Sequence, residues 1–177
     1  CQFTGVVTGD SEVGGIVGRN ESEGTIDHST ARAIVTGKSS TGGIAGYNLG
    51  AITGCTNVGS INTEYPEASL DTDGFTAKMV DYINNKMAAA DDDATNSVTN
   101  VATDTGGIAG RSSGMILTSV NTGTIGYEHV GYNVGGIVGR TDGLVSGCVN
   151  QGRVLGRKDV GGIAGQAEPY RELDLSK

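Results

Sequence analysis

The stretch Val13-Gly-Gly-Ile-Val-Gly18 decides the fold, because close variants of it recur along the chain. The string Gly-Gly-Ile-(Val/Ala)-Gly occurs five times, with copies that begin at Gly14, Gly42, Gly106, Gly135 and Gly161. Successive copies are 28, 64, 29 and 26 residues apart, so one interval is more than twice as long as the others. A period of this size indicates a repeat protein with an insertion between the second and third copies.

A second motif follows the first at a constant offset. Residues 50–61 align without gaps with residues 143–154. Each repeat therefore carries three short segments, centred in the first copy on Ile16, Ile26 and Val35. In each segment an isolated β-branched residue stands between glycines or small polar residues, a pattern that predicts short strands separated by tight turns.

Three strands and three corners per repeat close one coil of a parallel β-solenoid, in which each strand pairs with its counterpart in the next coil. We expect right-handed winding, the default for parallel connections. Glycine makes up 31 of the 177 residues, against a usual ~7%, and we expect it at corners where φ becomes positive. The predicted structural positions are Gly14, Gly15, Ile16, Gly18, Gly42, Gly43, Ile44, Gly46, Gly106, Gly107, Ile108, Gly110, Gly135, Gly136, Ile137, Gly139, Gly161, Gly162, Ile163 and Gly165.

The long interval contains a segment of different composition, residues 63–100. Its apolar residues recur at helical spacing, which predicts one helix: Phe75, Met79, Val80, Ile83 and Met87. We expect this helix to pack over the solenoid rather than to bind a partner. Its acidic residues lack the closing carboxylate of an EF-hand, so a solvated surface is preferred to a calcium site. The predicted organisation is one solenoid domain over residues 1–167, followed by a polar exit segment over 168–177.

The three cysteines, Cys1, Cys55 and Cys148, occupy one position of the repeat, with Ser29 and Ser119 at the same position in the intervening copies. Neighbouring coils lie ~4.8 Å apart, so cysteines two coils apart are roughly 10 Å apart. That separation exceeds the ~7 Å Cα limit for a disulfide. We therefore predict three free, buried thiols. Because the chain begins with cysteine rather than methionine, we expect a processed chain or a fragment, and a lipid-modified N-terminus is the alternative for Cys1.

Charge and hydropathy exclude two classes of partner. The chain has 12 Lys and Arg against 20 Asp and Glu, a net charge of −8 that repels polyphosphate, so nucleic acid is not expected. Its apolar runs fall short of the ~18 residues that a spanning helix needs, so membrane insertion is not expected.

The glycine strings precede no helical pattern that could cradle a phosphate, and the repeat carries no column of carboxylates suited to glycosidic chemistry. We predict no catalytic residue, no metal site, no cofactor and no enzymatic activity.

One outward column of the repeat is a candidate binding surface. The residue after each motif copy is, in order, Arg19, Tyr47, Arg111, Arg140 and Gln166. Arginines on adjacent coils repel each other unless carboxylates or an anionic ligand lie between them. Screening by neighbouring Asp and Glu side chains is the preferred explanation, and an acidic glycan is the functional one. The close aromatic pair Tyr127 and Tyr132 offers faces on which a sugar could stack.

The repeats resemble the GLUG-motif repeats of bacterial surface proteins, which occur in predicted adhesins and in non-catalytic parts of some IgA-cleaving metallopeptidases. The resemblance rests on residues 13–18, 41–46, 134–139 and 160–165, joined by residues 55–59 and 148–152. It implies an extracellular, surface-bound or secreted module that acts as an adhesive surface or a stalk. Its implied partners are a host glycan or matrix protein and flanking domains of the same polypeptide. The alternative is a polysaccharide- or peptide-cleaving enzyme, or an accessory domain of one.

Overall fold

The computed structural model describes residues 1–64 and 102–168. All regular structure in these two ranges is β-strand, arranged as a parallel β-solenoid of about five coils. No helix in this part of the chain is long and apolar enough to cross a membrane. The helix predicted within residues 63–100 and the exit segment, apart from Glu168, lie outside the described residues.

Each full coil contributes strands to four sheets, and coil 2 has one additional short strand. The strand β1 (Gln2–Thr8) precedes coil 1, which consists of β2 (Ser11–Gly14), β3 (Val17–Asn20), β4 (Thr25–Asp27) and β5 (Thr30–Thr36). Coil 2 consists of β6 (Ser39–Gly42), β7 (Ala45–Asn48), β8 (Ala51–Thr53), β9 (Thr56–Asn57) and the short β10 (Ser60–Ile61). Coil 3 consists of β11 (Thr103–Gly106), β12 (Ala109–Ser112), β13 (Met115–Leu117) and β14 (Val120–Asn121). Coil 4 consists of β15 (Tyr132–Gly135), β16 (Val138–Thr141), β17 (Leu144–Ser146) and β18 (Val149–Asn150), and coil 5 of β19 (Lys158–Gly161) and β20 (Ala164–Ala167).

Equivalent strands of successive coils form four sheets along the solenoid. Sheet A contains β1, β5, β9, β14 and β18, with β10 also paired to β5. Sheet B contains β2, β6, β11, β15 and β19, and sheet C contains β3, β7, β12, β16 and β20. Sheet D contains β4, β8, β13 and β17.

The prediction of three strands per coil is wrong, because the segment centred on Ile16 is two strands in different sheets. The chain turns at Gly15 and Ile16, between β2 of sheet B and β3 of sheet C. The Gly15 N–H donates to the carbonyl of Gly42 at 3.3 Å, and the Ile16 N–H to that of Ile44 at 3.0 Å. The corner therefore keeps its hydrogen bonds to the next coil while the strand direction changes.

The motif glycines are selected by close approach between coils, and the prediction that positive φ requires them is wrong. A Cβ on Gly107 would collide with the carbonyl oxygen of Gly136 and lie 2.6 Å from Cγ of Asn121. The glycines that do have positive φ in the described chain lie outside the motif copies: Gly5, Gly54, Gly126, Gly131 and Gly147. The missing side chain, rather than the φ angle, is what each motif corner needs.

The interior combines β-branched columns with a buried amide ladder. The motif isoleucines Ile44, Ile108 and Ile137 are fully buried. In sheet A, Asn57 Nδ2 donates to Oδ1 of Asn121 at 2.8 Å, and Asn121 Nδ2 donates to Oδ1 of Asn150 at 2.8 Å. A buried amide that lost such partners would cost about 1–3 kcal/mol. The ladder therefore fixes the register of coils 2, 3 and 4.

Coils 2 and 3 stack directly on each other although residues 65–101 separate them in sequence. The strand β6 pairs with β11, and β7 with β12. At the point where the chain leaves coil 2, Asn62 Nδ2 donates to Oγ1 of Thr105 at 2.9 Å. Where it returns, the Thr103 N–H donates to the carbonyl of Lys38 at 2.8 Å. The stack of coils 2 and 3 is therefore continuous across the point of insertion.

Candidate functional site

The predicted arginine column lies along sheet C, with one residue in each coil. Arg19 is aligned with Tyr47, Tyr47 with Arg111, and Arg111 with Arg140. Gln166 continues the column beside Arg140. The structure therefore brings four of the candidate binding residues together in adjacent coils.

Tyr47 separates two of the arginines. The guanidinium carbon of Arg19 lies 4.9 Å from the centroid of the Tyr47 ring, and that of Arg111 lies 5.2 Å from it. The Tyr47 hydroxyl is also 3.2 Å from Oγ of Ser113. Cation–π contacts at exposed sites contribute about 0.5–1 kcal/mol each. The stack therefore binds coils 1, 2 and 3 together along the side of the solenoid.

Carboxylates of the protein itself neutralise two of the three arginines. Arg19 donates to Glu12 at 2.9 Å and to Glu21 at 2.8 Å, and Arg140 donates to Glu168 at 2.7 Å. The hydrogen bond to Glu21 raises the pKa of Arg19, and the hydrogen bond to Glu168 raises that of Arg140. This arrangement matches the screening explanation of the column and leaves little positive charge there for a ligand.

The two tyrosines of the predicted pair have different surroundings. Tyr132 belongs to β15 of sheet B, and the guanidinium carbon of Arg157 lies 5.9 Å from its ring centroid. Tyr127 forms an isolated antiparallel bridge with Val130, which closes a short turn that we call the 127–130 hairpin. The side chain of Tyr127 is 44% exposed. The two tyrosines therefore belong to different elements, the strand β15 and the 127–130 hairpin.

Tyr127 lines an open depression of about 430 Å³ beside this hairpin. The lining residues come from three separate parts of the sequence: Thr63, Thr124, Gly126, Tyr127, Glu128, His129, Arg153 and Leu155. His129 Nε2 lies 3.6 Å from Oε1 of Glu128. Arg153 makes no ion pair with any residue of the described ranges, so its charge is available at the wall of the depression.

The depression lies at the corner that joins sheet A to sheet B, which we call the A–B corner. The connections at this corner differ in length from coil to coil: residues 9–10, 37–38, 62–102, 126–131 and 155–157. Insertions in repeat proteins collect at loops on one face, often the binding face. The sequence reasoning missed Arg153 and His129, although the irregular spacing of the repeats at this corner was a usable signal for them.

The cysteine column forms as its spacing requires, and all three thiols are free. The Ser29 N–H donates to Sγ of Cys55 at 3.5 Å, and the Cys55 N–H donates to Oγ of Ser119 at 3.2 Å. The prediction of buried thiols is wrong for Cys1, which is exposed in the first coil, and Cys148 is half-buried. Burial raises the pKa of the Cys55 and Cys148 thiols, which keeps them protonated and unreactive.

Metal-ligating side chains do not gather within residues 1–64 and 102–168, where no group of three or more His, Cys, Asp or Glu could hold an ion.

The family model described as the GLUG motif matches residues 9–36, which contain coil 1. The searches of curated proteins and of solved structures gave no significant match. The matched residues include the first copy of the glycine motif, and the four later copies repeat its pattern in coils 2 to 5.

Proposed function

This chain is a GLUG-motif repeat protein, and we propose that it is a non-catalytic, extracellular module of a bacterial surface or secreted protein. In this proposal the solenoid is a stiff stalk, and the A–B corner is its adhesive face. A host glycan or matrix protein is the partner at that face. Flanking domains of the same polypeptide are held at the ends.

The observation that carries the proposal is the concentration of irregular connections at one corner. The two longest connections between strands, residues 62–102 and 126–131, occur at the A–B corner of successive coils. Loops placed by a rigid scaffold are where proteins usually carry binding residues. The same corner also contains the depression beside the 127–130 hairpin.

The other faces support the role of a stalk. Two of the three arginines of sheet C, Arg19 and Arg140, are paired with Glu12, Glu21 and Glu168. The buried asparagines of sheet A are hydrogen-bonded to one another between coils. Polar groups that are satisfied within the chain resist bending of the stack and offer few contacts to a ligand.

Binding of the labelled full chain to an array of host glycans and matrix proteins tests the proposal, with and without calcium. The test variant carries Glu128→Ser and His129→Gly at the tip of the hairpin, and His129 has a positive φ of 60° that glycine adopts readily. The control variant carries Arg111→Ser and Arg140→Ser on sheet C. We expect saturable binding that the hairpin variant weakens and the control retains. If the sheet C variant loses binding and the hairpin variant keeps it, the adhesive face is the arginine column instead. If nothing on the array binds, the module acts as a spacer.

A further inference from the structure

We propose that the depression at the A–B corner binds an acidic saccharide, a sugar that carries carboxylate or sulfate groups, with Arg153 as the anion-binding residue. This inference rests on the proposed function, because it names the ligand class of the adhesive face.

The backbone that surrounds the depression is held in place by three coils. The Gly126 N–H donates to the carbonyl of Ile61 at 2.8 Å, and the Leu155 N–H donates to that of Ile125 at 2.8 Å. On the far side of the hairpin, the Arg157 N–H donates to the carbonyl of Gly131 at 3.0 Å. A loop anchored on both sides loses less entropy when a ligand binds, which favours affinity.

Two glycines allow the hairpin to project from the stack. Gly126 has a φ of 79° and Gly131 a φ of 93°, in the left-handed region that glycine occupies at little cost. A Cβ on Gly126 would also collide with the carbonyl oxygen of Leu155. These two turns place Tyr127 and the hairpin tip beside Arg153 rather than over the core.

The chemistry of the lining fits a charged sugar. A guanidinium binds carboxylate and sulfate groups through paired N–H donors, and Arg153 is exposed with no carboxylate partner among the described residues. The hydroxyls of Thr63 and Thr124 can donate to and accept from sugar hydroxyls, and the exposed ring of Tyr127 offers an apolar face. The volume of about 430 Å³ lies within the range of ~300–1,000 Å³ that is usual for small-ligand sites.

Local charge favours an anion here more than on sheet C. Arg157 and Lys158 follow Arg153 closely in sequence, at the start of coil 5, so three cations lie at this corner together with the carboxylates of Glu128 and Asp159, in a chain whose net charge is −8. On sheet C, by contrast, Arg19 and Arg140 are already bound to carboxylates. Arg153, which has no carboxylate partner within the described ranges, should therefore attract a short anionic ligand more strongly than these two paired arginines do.

Titration calorimetry on the full chain tests the inference with four probes: a galacturonate hexasaccharide, a sulfated heparin-derived hexasaccharide, neutral maltohexaose and a hexaglutamate peptide. The test variant is Arg153→Ser. The matched control is Arg32→Ser, which removes an exposed arginine of the strand β5 that has no ion pair within the described ranges. Circular dichroism and thermal unfolding establish that both variants keep the fold.

We expect at least one acidic hexasaccharide to bind, and Arg153→Ser to weaken it about tenfold, as loss of one charge-assisted hydrogen-bonded pair predicts. The control should bind as the parent does, and the two acidic sugars show whether carboxylate or sulfate is preferred. Equal binding of the neutral sugar or of the peptide, or an equal loss in Arg32→Ser, would overturn the ligand class. If a ligand from the array binds through the hairpin while both acidic sugars fail, the inference fails and the proposed function stands; if nothing binds in either assay, both fail.

Discussion

Two corners of the same coil differ in how much the length of their connections varies. At the corner between sheets B and C, every coil uses a two-residue connection, glycine followed by isoleucine, between strands that end and begin at equivalent residues. At the A–B corner the connection ranges from Gly37 and Lys38 to residues 62–102. The first corner is constrained by stacking on the coils above and below, whereas the connection at the second varies in length from coil to coil.

Hydrogen bonding explains where the freedom at the A–B corner ends. The first residue of β11 and that of β15 are each hydrogen-bonded to the preceding coil: the Thr103 N–H donates to the carbonyl of Lys38, and the Tyr132 N–H to that of Ala102. The number of residues between the end of sheet A and this hydrogen bond differs from coil to coil. Length can therefore change there without a change in the register of sheet B.

The largest expected effect comes from Gly107→Ala at the glycine–isoleucine corner. The new Cβ would collide with the carbonyl oxygen of Gly136 and press on the amide of Asn121. Because backbone on one side and a buried ladder on the other cannot move aside cheaply, we expect a loss of about 3 kcal/mol or more in the free energy of unfolding, measured in urea.

Gly162→Ala is the matched control for this prediction, since it changes the same motif position in coil 5. Gly162 is exposed, and a Cβ there meets no atom within 4 Å. We expect a change within about 0.5 kcal/mol, as for an ordinary surface substitution. Similar losses in the two variants would mean that the motif glycines are needed for backbone conformation after all.

The amide ladder behind the corner should show the next largest effect. Asn121 is fully buried and bonded to amides on both sides, whereas Asn150 is half-buried and accepts from Asn121 alone within the described ladder. Asn121→Ala would remove one hydrogen bond from Asn57, one from Asn150 and both side-chain hydrogen bonds to the backbone of Gly123, so we expect a loss of about 2 kcal/mol, against about 1 kcal/mol for Asn150→Ala. Thermal unfolding of both variants provides the measurement, and equal losses would show that the ladder does not act between coils.

Column membership could be predicted from sequence, because a β-solenoid converts a repeat period directly into spatial neighbours. The aligned positions of Arg19, Tyr47 and Arg111 follow from counting alone. The stacking of two guanidinium groups on Tyr47 could not be predicted from the repeat period, since it depends on side-chain rotamers and on carboxylates from other strands. The depression was missed for a related reason: Thr63 and Arg153 belong to irregular connections, which the period does not place.

The same limit explains the error in strand number. The segment around Ile16 alternates like one strand, and nothing in its pattern marks a bend. The bend becomes necessary only when the next coil is stacked on Gly15, because the absence of a Cβ there lets the carbonyl of Gly43 in the next coil approach closely. Packing between coils, rather than local preference, divides β2 from β3.

A smaller effect is expected in the cysteine column, where successive coils carry either a cysteine sulfur or a serine oxygen at the same position. Ser119 Oγ donates to the carbonyl of Leu117, as Cys55 Sγ does to that of Thr53, so Cys55→Ser should change stability by less than about 1 kcal/mol at pH 7. Burial raises the folded-state pKa of Cys55. The stabilisation that this thiol contributes is therefore present below the ordinary thiol pKa and lost as pH rises through the folded value.

Unfolding in urea at pH 7 and at pH 10 measures this difference. The parent should lose more stability between the two pH values than Cys55→Ser does, because only the parent must keep a buried thiol protonated at that position. Cys148→Ser is the control, with a smaller effect because its side chain is half-buried. An identical pH dependence in the parent and in Cys55→Ser would show that the thiol does not titrate with unfolding.

The smallest expected effect tests the free corner itself. Asn62 is equivalent to Thr36, since Val35 aligns with Ile61, and Thr103 is equivalent to Ser39. Replacing residues 63–102 by Gly-Lys, the connection of coil 1 to coil 2, should therefore close coil 2 onto coil 3 with its hydrogen bonds intact. We expect the free energy of unfolding to stay within about 1 kcal/mol of the parent, because loop-closure entropy changes slowly with length.

A control insertion of Gly-Ser between Gly107 and Ile108 places the same kind of change at the constrained corner. There the added residues would displace the Ile108 N–H from the carbonyl of Ile137, to which it donates at 2.8 Å, and we expect cooperative unfolding to be lost or strongly weakened. A deletion variant as unstable as the insertion variant would show that both corners are equally constrained. In that case the irregular connections would be needed for the stability of the stack. The A–B corner would then not be free to serve as a binding face.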